Sequence, residues 1–198
     1  MSRFNVSALL KRRESPAAAG WPPADELNTI LYVCTGNIAR SASAQLISQH
    51  RSWNEGWVFD SAGIGAVVGS GVAPDIDHEL LDRGIDISGY KAKQLTREIA
   101  ESAALIVAMD HSHRKWIIRE WPHLHHRVVL LKQIQRVRAE AGRRVEAISY
   151  LQQMDIPVRS SDDIADPYRL GVQAARTAVE EVEDGLDVLL PWLGFFER

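Results

Sequence analysis

Cys34 and Arg40 stand six positions apart in Val33-Cys34-Thr35-Gly36-Asn37-Ile38-Ala39-Arg40-Ser41, and Cys34 is the single cysteine of the chain. A thiol and a guanidinium on one short glycine-containing loop suit attack on phosphorus. Arg40 brings a permanent charge whose planar fork matches two phosphate oxygens. Backbone N–H groups from Thr35, Gly36, Asn37, Ile38 and Ala39 can line a concavity, and a helix beginning near Ser41 adds positive potential. Gly36 and Asn37 are the residue types that best tolerate a left-handed backbone, which a tight cradle needs. The same field favours a thiolate, the attacking form of cysteine. A lone cysteine is more commonly a small buried hydrophobe. The Cys-x5-Arg-Ser spacing behind a strand is what points to chemistry.

These residues need a strand end and a helix start to hold them. Thr29 to Val33 is β-branched, aromatic and apolar, as a buried strand is, and Ser41 to His50 reads as a helix. Trp57 to Ser61 is a second strand, running into Ser61-Ala62-Gly63. Pro74 to Arg83 reads as a helix stopped by Gly84. Ala103 to Asp110 is continuously apolar up to Asp110, like a central parallel strand. A helix follows over His113 to Glu120, ending before Pro122, and a fourth strand over Arg127 to Leu131. Val172, Ala175, Val179, Val182, Leu186 and Leu190 form the stripe of a long closing helix. Strands alternating with helices predict an α/β fold: a doubly wound, four-stranded parallel sheet flanked by helices, with the phosphate-binding loop after strand 1.

The bulk properties exclude several classes. The chain has 198 residues, enough for one α/β domain with a sizeable core. Its net charge of −3 gives no general basic surface, so nucleic acid is not an expected partner. No apolar run approaches the roughly 20 residues of a membrane span, and Leu9-Leu10 run at once into Lys11-Arg12-Arg13-Glu14, unlike a signal peptide. One cysteine precludes an intrachain disulfide and suits a reducing, cytoplasmic setting. Residues 1–27, rich in proline, alanine and charge, read as an extension before the domain, partly disordered or packed on its surface, with Trp21 as an anchor.

The loop string closely resembles the active-site loop of the low-molecular-weight protein tyrosine phosphatases. Asp166-Pro167-Tyr168 resembles that family's second motif and stands in the expected order, after the fourth strand and before the closing helix. The resemblance implies a metal-free, cofactor-free phosphatase acting on phosphotyrosine in a protein or peptide, through a phosphocysteine. It implies Cys34 as nucleophile, Arg40 as charge clamp and Asp166 as the acid that protonates the leaving oxygen. Tyr168 would wall the pocket, and Asn37, Ser41 and Ser61 would form the network supporting the loop. Such enzymes often oppose tyrosine kinases.

The departures are specific. Ala39 replaces a second cysteine, Ala42 a proline, and Arg83 sits where some members carry a network histidine. Near Val67 the family usually has an aromatic residue that stacks on a substrate ring. Residues 132–164 outgrow the family: helix-prone text to Ala141, a break at Gly142, and a second helical piece near Val145 to Gln153. Residues 28–198 thus read as the phosphatase-like domain, and 132–164 as an insertion expected to form a flap or partner surface beside the pocket. His111, His113, His123, His125 and His126 are expected at surfaces or helix ends rather than on a metal. Two other readings remain at this point: a phosphate-binding regulatory module with little turnover, and an arsenate reductase dependent on an external thiol.

Overall fold

Alternate residues of β1 (Thr29–Cys34) enter two separate cores. Ile30 and Tyr32 pack into one cluster with Leu46, Ile47, Leu80, Leu186 and Leu189, while Leu31 and Val33 pack into another with Leu95, Ile117 and Leu124. That is the two-residue period of a strand covered on both faces, which is why its sequence is apolar throughout. The computed structural model describes residues 28–52, 56–142, 144–153 and 156–195. The extension read at 1–27, with Trp21, lies outside them.

β1 is flanked by β2 (Val58–Gly63) and β3 (Leu105–Ala108), and β4 (Val128–Leu130) lies beyond β3. All pairings are parallel, with Cys34 opposite Gly63 and Val33 opposite Ala108. The four-stranded, doubly wound parallel sheet predicted from the alternation is therefore the observed one. The chain steps from β1 outward to β2, then back across β1 to β3. Cys34 thus ends the strand at which the winding reverses, the crevice where such sheets bind ligands.

Two strands are shorter than their apolar runs. Ala103, Ala104 and Met109 are fully buried without being strand residues, and Asp110 caps α4 (His111–Glu120). Leu131 opens α5 (Leu131–Glu140) instead of closing β4. Burial extends past the hydrogen-bonded ladder in both places, so hydrophobicity overstates strand length.

One layer holds α1 (Arg40–Arg51), α2 (Pro74–Asp82), α5 and α7 (Val172–Trp192), with α7 packed against the other three. The other carries α3 (Arg97–Glu101) and α4. Gly185 of α7 faces α5 so closely that a Cβ there would run into the Leu131 side chain. No helix among the described residues is long and apolar enough to cross a membrane.

The helical pieces expected between β4 and Asp166 are present as α5 and α6 (Ala147–Gln153), but they form no flap. Ile134, Val137, Ile148 and Leu151 are buried in the main core, α5 lies along α7, and α6 meets the 3-10 turn Pro122–Arg127. Gln152 donates to the carbonyl of Ala104, at the start of β3 and so at the opposite end of the sheet from Cys34. The apolar face of each helix drew it onto the core. What returns toward the site is the stretch after them. Arg136 pairs with the buried Asp162 at 2.9 Å, and Ile164 N donates to Met109 O at 2.9 Å.

Candidate active site

Every carbonyl from Cys34 to Ala39 is bonded outward. The oxygens of Cys34, Thr35 and Gly36 accept from the N–H groups of Ile64, Gly65 and Val67, each at 3.0 Å. Asn37 O accepts from the Tyr90 hydroxyl at 2.8 Å, Ile38 O from Ala73 N at 2.8 Å, and Ala39 O from Ser43 N at 2.8 Å. No backbone N–H from Thr35 to Ala39 donates to another described residue. With the acceptors turned out, the peptide planes turn their donors in. α1 starts at Arg40 without a side-chain cap at Ala39, which leaves its first N–H groups available as well.

Asn37 supplies the left-handed residue of the cradle, at φ 55°. Gly36, expected to share that duty, is not among the positive-φ residues, and a Cβ there would meet Ile38 and Val67 at ordinary contact distance. Gly63 is the glycine the loop requires. A Cβ on it would run into Thr35 O and lie 3.0 Å from Asn37 N, both backbone atoms. Gly63→Ala is therefore expected to lower stability by about 1–3 kcal/mol, as overpacking does. Turnover should fall more than the folded fraction does. Urea melts beside an aryl phosphate assay check this, and wild-type kinetics in the variant would refute it.

The buried polar side chains beneath the loop form one network. Asn37 Nδ2 donates to Ser41 Oγ at 3.0 Å and to Ser61 Oγ at 2.8 Å, and its Oδ1 accepts from Lys93 N at 2.8 Å. Ser41 Oγ lies 2.8 Å from Cys34 Sγ. Because that oxygen already accepts from Asn37, its proton is free to point at the sulfur. Tyr90 closes the network, its hydroxyl also lying 3.1 Å from Ser61 Oγ. Burial pushes the Tyr90 phenol above its ordinary pKa, which keeps it a donor. Arg83 takes no part. It pairs with Glu79 at 2.8 Å and Glu183 at 2.9 Å, bracing α2 against α7.

Arg40 is 3% exposed and is held along one edge. Its Nη1 donates to Asp110 Oδ2 at 3.0 Å and to Ile164 O at 2.9 Å, and Nη2 lies 3.1 Å from Asp166 Oδ2. Its buried Nε has no partner among the described residues. Burial opposes ionisation of Asp110, but the His113 ring beside it and hydrogen bonds from the Ser112 hydroxyl and the His113 backbone N–H outweigh it and hold the carboxyl well below the usual carboxylate range. Arg40 therefore keeps an anionic anchor behind it. In front lies a cavity of about 210 Å³, lined by Cys34, Thr35, Gly36, Ile38, Ala39, Arg40, Gly65, Val67, Asp166 and Tyr168.

The sequence profile described as "Low molecular weight phosphotyrosine protein phosphatase" matches residues 29–136. The chain belongs to that family. A probable low molecular weight protein-tyrosine-phosphatase, EpsP, of Ralstonia nicotianae is 33% identical over 165 residues, spanning 83% of this chain and 95% of its own. The YwlE arginine phosphatase of Geobacillus stearothermophilus superposes with a TM-score of 0.68 at 26% identity, covering 84% of this chain and 93% of that one. The tyrosine phosphatase Wzb of Escherichia coli K30, solved with sulphate, shares the fold at a TM-score of 0.66 and 22% identity, over 85% and 99% of the two chains. The protein is thus a phosphatase of the kind that works through a cysteine nucleophile.

In this phosphatase the expected loop, acid and wall residues converge on one cavity, with Ser41 touching Cys34 and with Asn37 and Ser61 beneath. Val67, half exposed, occupies the wall where an aromatic residue was missed in the sequence. Sequence reasoning overlooked Asp110, His113, Tyr90, Lys93 and Ile164. His113 was expected at a surface or a helix end; it does stand in the first turn of α4, but facing inward and 1% exposed. Its position four residues before the buried Ile117, on the inward face of α4, was the available signal. Among the described residues no group of three histidine, cysteine or acidic side chains is placed to hold a metal ion.

Proposed function

We propose that this phosphatase removes phosphate from tyrosine side chains of a phosphorylated protein or peptide, with Cys34, Arg40 and Asp166 as its catalytic residues. The observation that carries this reading is the unpartnered, buried Nε of Arg40 beside Cys34, inside a ring of outward-bonded carbonyls. A buried donor without an acceptor calls for a ligand, and here the fitting ligand is an oxyanion.

Cys34 Sγ attacks phosphorus in line, forming the S–P bond as the bond to the tyrosine oxygen breaks. Asp166 gives its proton to that oxygen. The phosphoryl oxygens take hydrogen bonds from the loop N–H groups and from the Nε and Nη2 edge of Arg40, while Nη1 stays on Asp110 and Ile164. Water then attacks phosphorus, Asp166 takes its proton, and sulfur leaves as thiolate with the Ser41 hydroxyl beside it. Thr35, Gly36, Asn37, Ile38 and Ala39 act through the loop backbone, and Tyr168 as a wall.

Ile38, Val67 and Tyr168 give the pocket apolar sides. Such walls suit a neutral phenyl ring better than a guanidinium, for which Asp166 is the one carboxylate in the lining and is already committed to Arg40, so phosphotyrosine is favoured over phosphoarginine. We read residues 28–198 as the catalytic domain, working in the cytoplasm against a tyrosine kinase. The test is turnover of matched phosphotyrosyl and phosphoarginyl peptides, with ³²P-labelled enzyme trapped by rapid denaturation. Phosphotyrosine should win by about tenfold or more, a difference of ~1.4 kcal/mol, and label should appear on the Cys34 peptide. Turnover without label on Cys34, or preference for phosphoarginine, overturns the proposal.

A further inference from the structure

We propose that His113 is a positioning residue for the phosphate loop, tying Thr35 at its start to the carboxylate that holds Arg40 at its end. This rests on reading Cys34 to Ser41 as the phosphate site. His113 Nε2 lies 2.9 Å from Thr35 Oγ1, across 78 positions of sequence. On the other side of the ring, Nδ1 lies 3.0 Å from Asp110 Oδ1, too far off axis for a hydrogen bond. A bare lone pair facing that carboxylate would be repelled, so Nδ1 carries a proton and the contact is an electrostatic attraction. With the proton on Nδ1, Nε2 accepts from the Thr35 hydroxyl.

The other oxygen of Asp110 accepts from Arg40 Nη1 at 3.0 Å. Thr35, His113, Asp110 and Arg40 therefore form one continuous chain behind the cavity. Asn37, Ser41, Ser61, Tyr90 and Lys93 brace the loop from beneath and from the β2 side. From the β3–α4 side, Thr35 and Arg40 are held through His113 and Asp110. An apolar residue on the buried face of α4 would pack there without bringing any ring nitrogen into the interior. The imidazole is placed for its polar contacts. Fixing the Thr35 side chain fixes the peptide next to Cys34, whose N–H faces the incoming phosphate.

The experiment compares His113→Phe, which keeps the bulk, with His113→Gln, whose amide reaches roughly to the Nε2 position, and with Thr35→Val. Inorganic phosphate binding is measured by calorimetry in a Cys34→Ser background, and aryl phosphate kinetics in the active enzyme. His113→Phe should weaken phosphate binding about tenfold and lower kcat/KM by about 10–100-fold. The dependence of rate on the leaving group, which reports Asp166, should not move. His113→Gln should recover most of the loss. Combining His113→Phe with Thr35→Val should cost no more than the worse single change, because both break one chain. Unchanged phosphate affinity in His113→Phe, or losses that simply multiply, overturns the proposal. If His113→Phe does not fold, His113→Gln and Thr35→Val decide: near-normal binding with Gln and a loss with Val support it, and normal binding with Val overturns it. Should the wild-type protein fail to turn over aryl phosphates, the proposed activity falls, while the binding measurements still decide the role of His113.

Discussion

Cys34→Ser is expected to lower kcat on any aryl phosphate by about 10⁴-fold or more, a rise in barrier of at least ~5.5 kcal/mol. The size follows from what the pocket can activate. The loop N–H groups and Arg40 stabilise an anionic sulfur, but no described base stands beside Cys34 to take the proton of a serine hydroxyl. The nearest polar contact, Ser41 Oγ at 2.8 Å, is a donor toward the sulfur and not a base. The binding apparatus stays whole, because the carbonyls of the loop and the Arg40 anchors do not involve sulfur. Phosphate should therefore still bind by calorimetry while turnover is lost. A Cys34→Ser protein that hydrolyses aryl phosphates at the wild-type rate would sink the mechanism.

Asp166→Asn is expected to be nearly as severe on some substrates and mild on others. Phenyl phosphate loses a poor leaving group and should slow by about 10²–10⁴-fold. A dinitrophenyl ester, whose phenolate leaves without a proton, should slow by less than about tenfold. Asp166 is half exposed at the cavity rim and pairs there with Arg40 Nη2 at 3.1 Å, so its carboxyl can reach both the phosphate clamp and an outgoing oxygen. The asparagine is nearly isosteric and keeps the turn that Pro167 directs. The check is a plot of log kcat/KM against leaving-group pKa for both proteins. Parallel lines would remove Asp166 from the role of acid.

Legibility in the sequence followed the range of the contacts. The loop from Cys34 to Ser41 could be read directly because strand, turn and helix start are adjacent in the chain. Asp166 could be read from a local motif and its order. The sheet was legible through the apolar runs, but their ends were not, since Ala104, Met109 and Leu131 are buried for reasons of packing rather than pairing. The supports of the site were hidden because each joins distant segments: His113 to Thr35, Asp110 to Arg40, Tyr90 and Lys93 to Asn37. A histidine in Asp110-His111-Ser112-His113 looks the same in sequence whether it faces water or the loop. Arg83, at the position where some members carry a network histidine, pairs with Glu79 and Glu183 instead, and Tyr90 joins the network from seven residues further on.

The close approach of Gly185 to Leu131 bears on how far this protein can be pared down. Replacing Gln133 to Val158 by a short linker is the direct way to shorten the chain. Leu131, Ile134 and Val137, however, are a wedge in the core alongside the closing helix, with Gly185 notched to admit Leu131. Pulling that wedge would leave a trench along α7. Losing two or three such side chains, at about 2–5 kcal/mol each, approaches the roughly 5–15 kcal/mol that holds a domain together. A viable abridgement has to keep α5, the buried face of α6 with Ile148 and Leu151, and the stretch from Asp162, whose pairing with Arg136 steers the chain back to Arg40. The extra length is structural timber first, and only its outer loop is free to be trimmed.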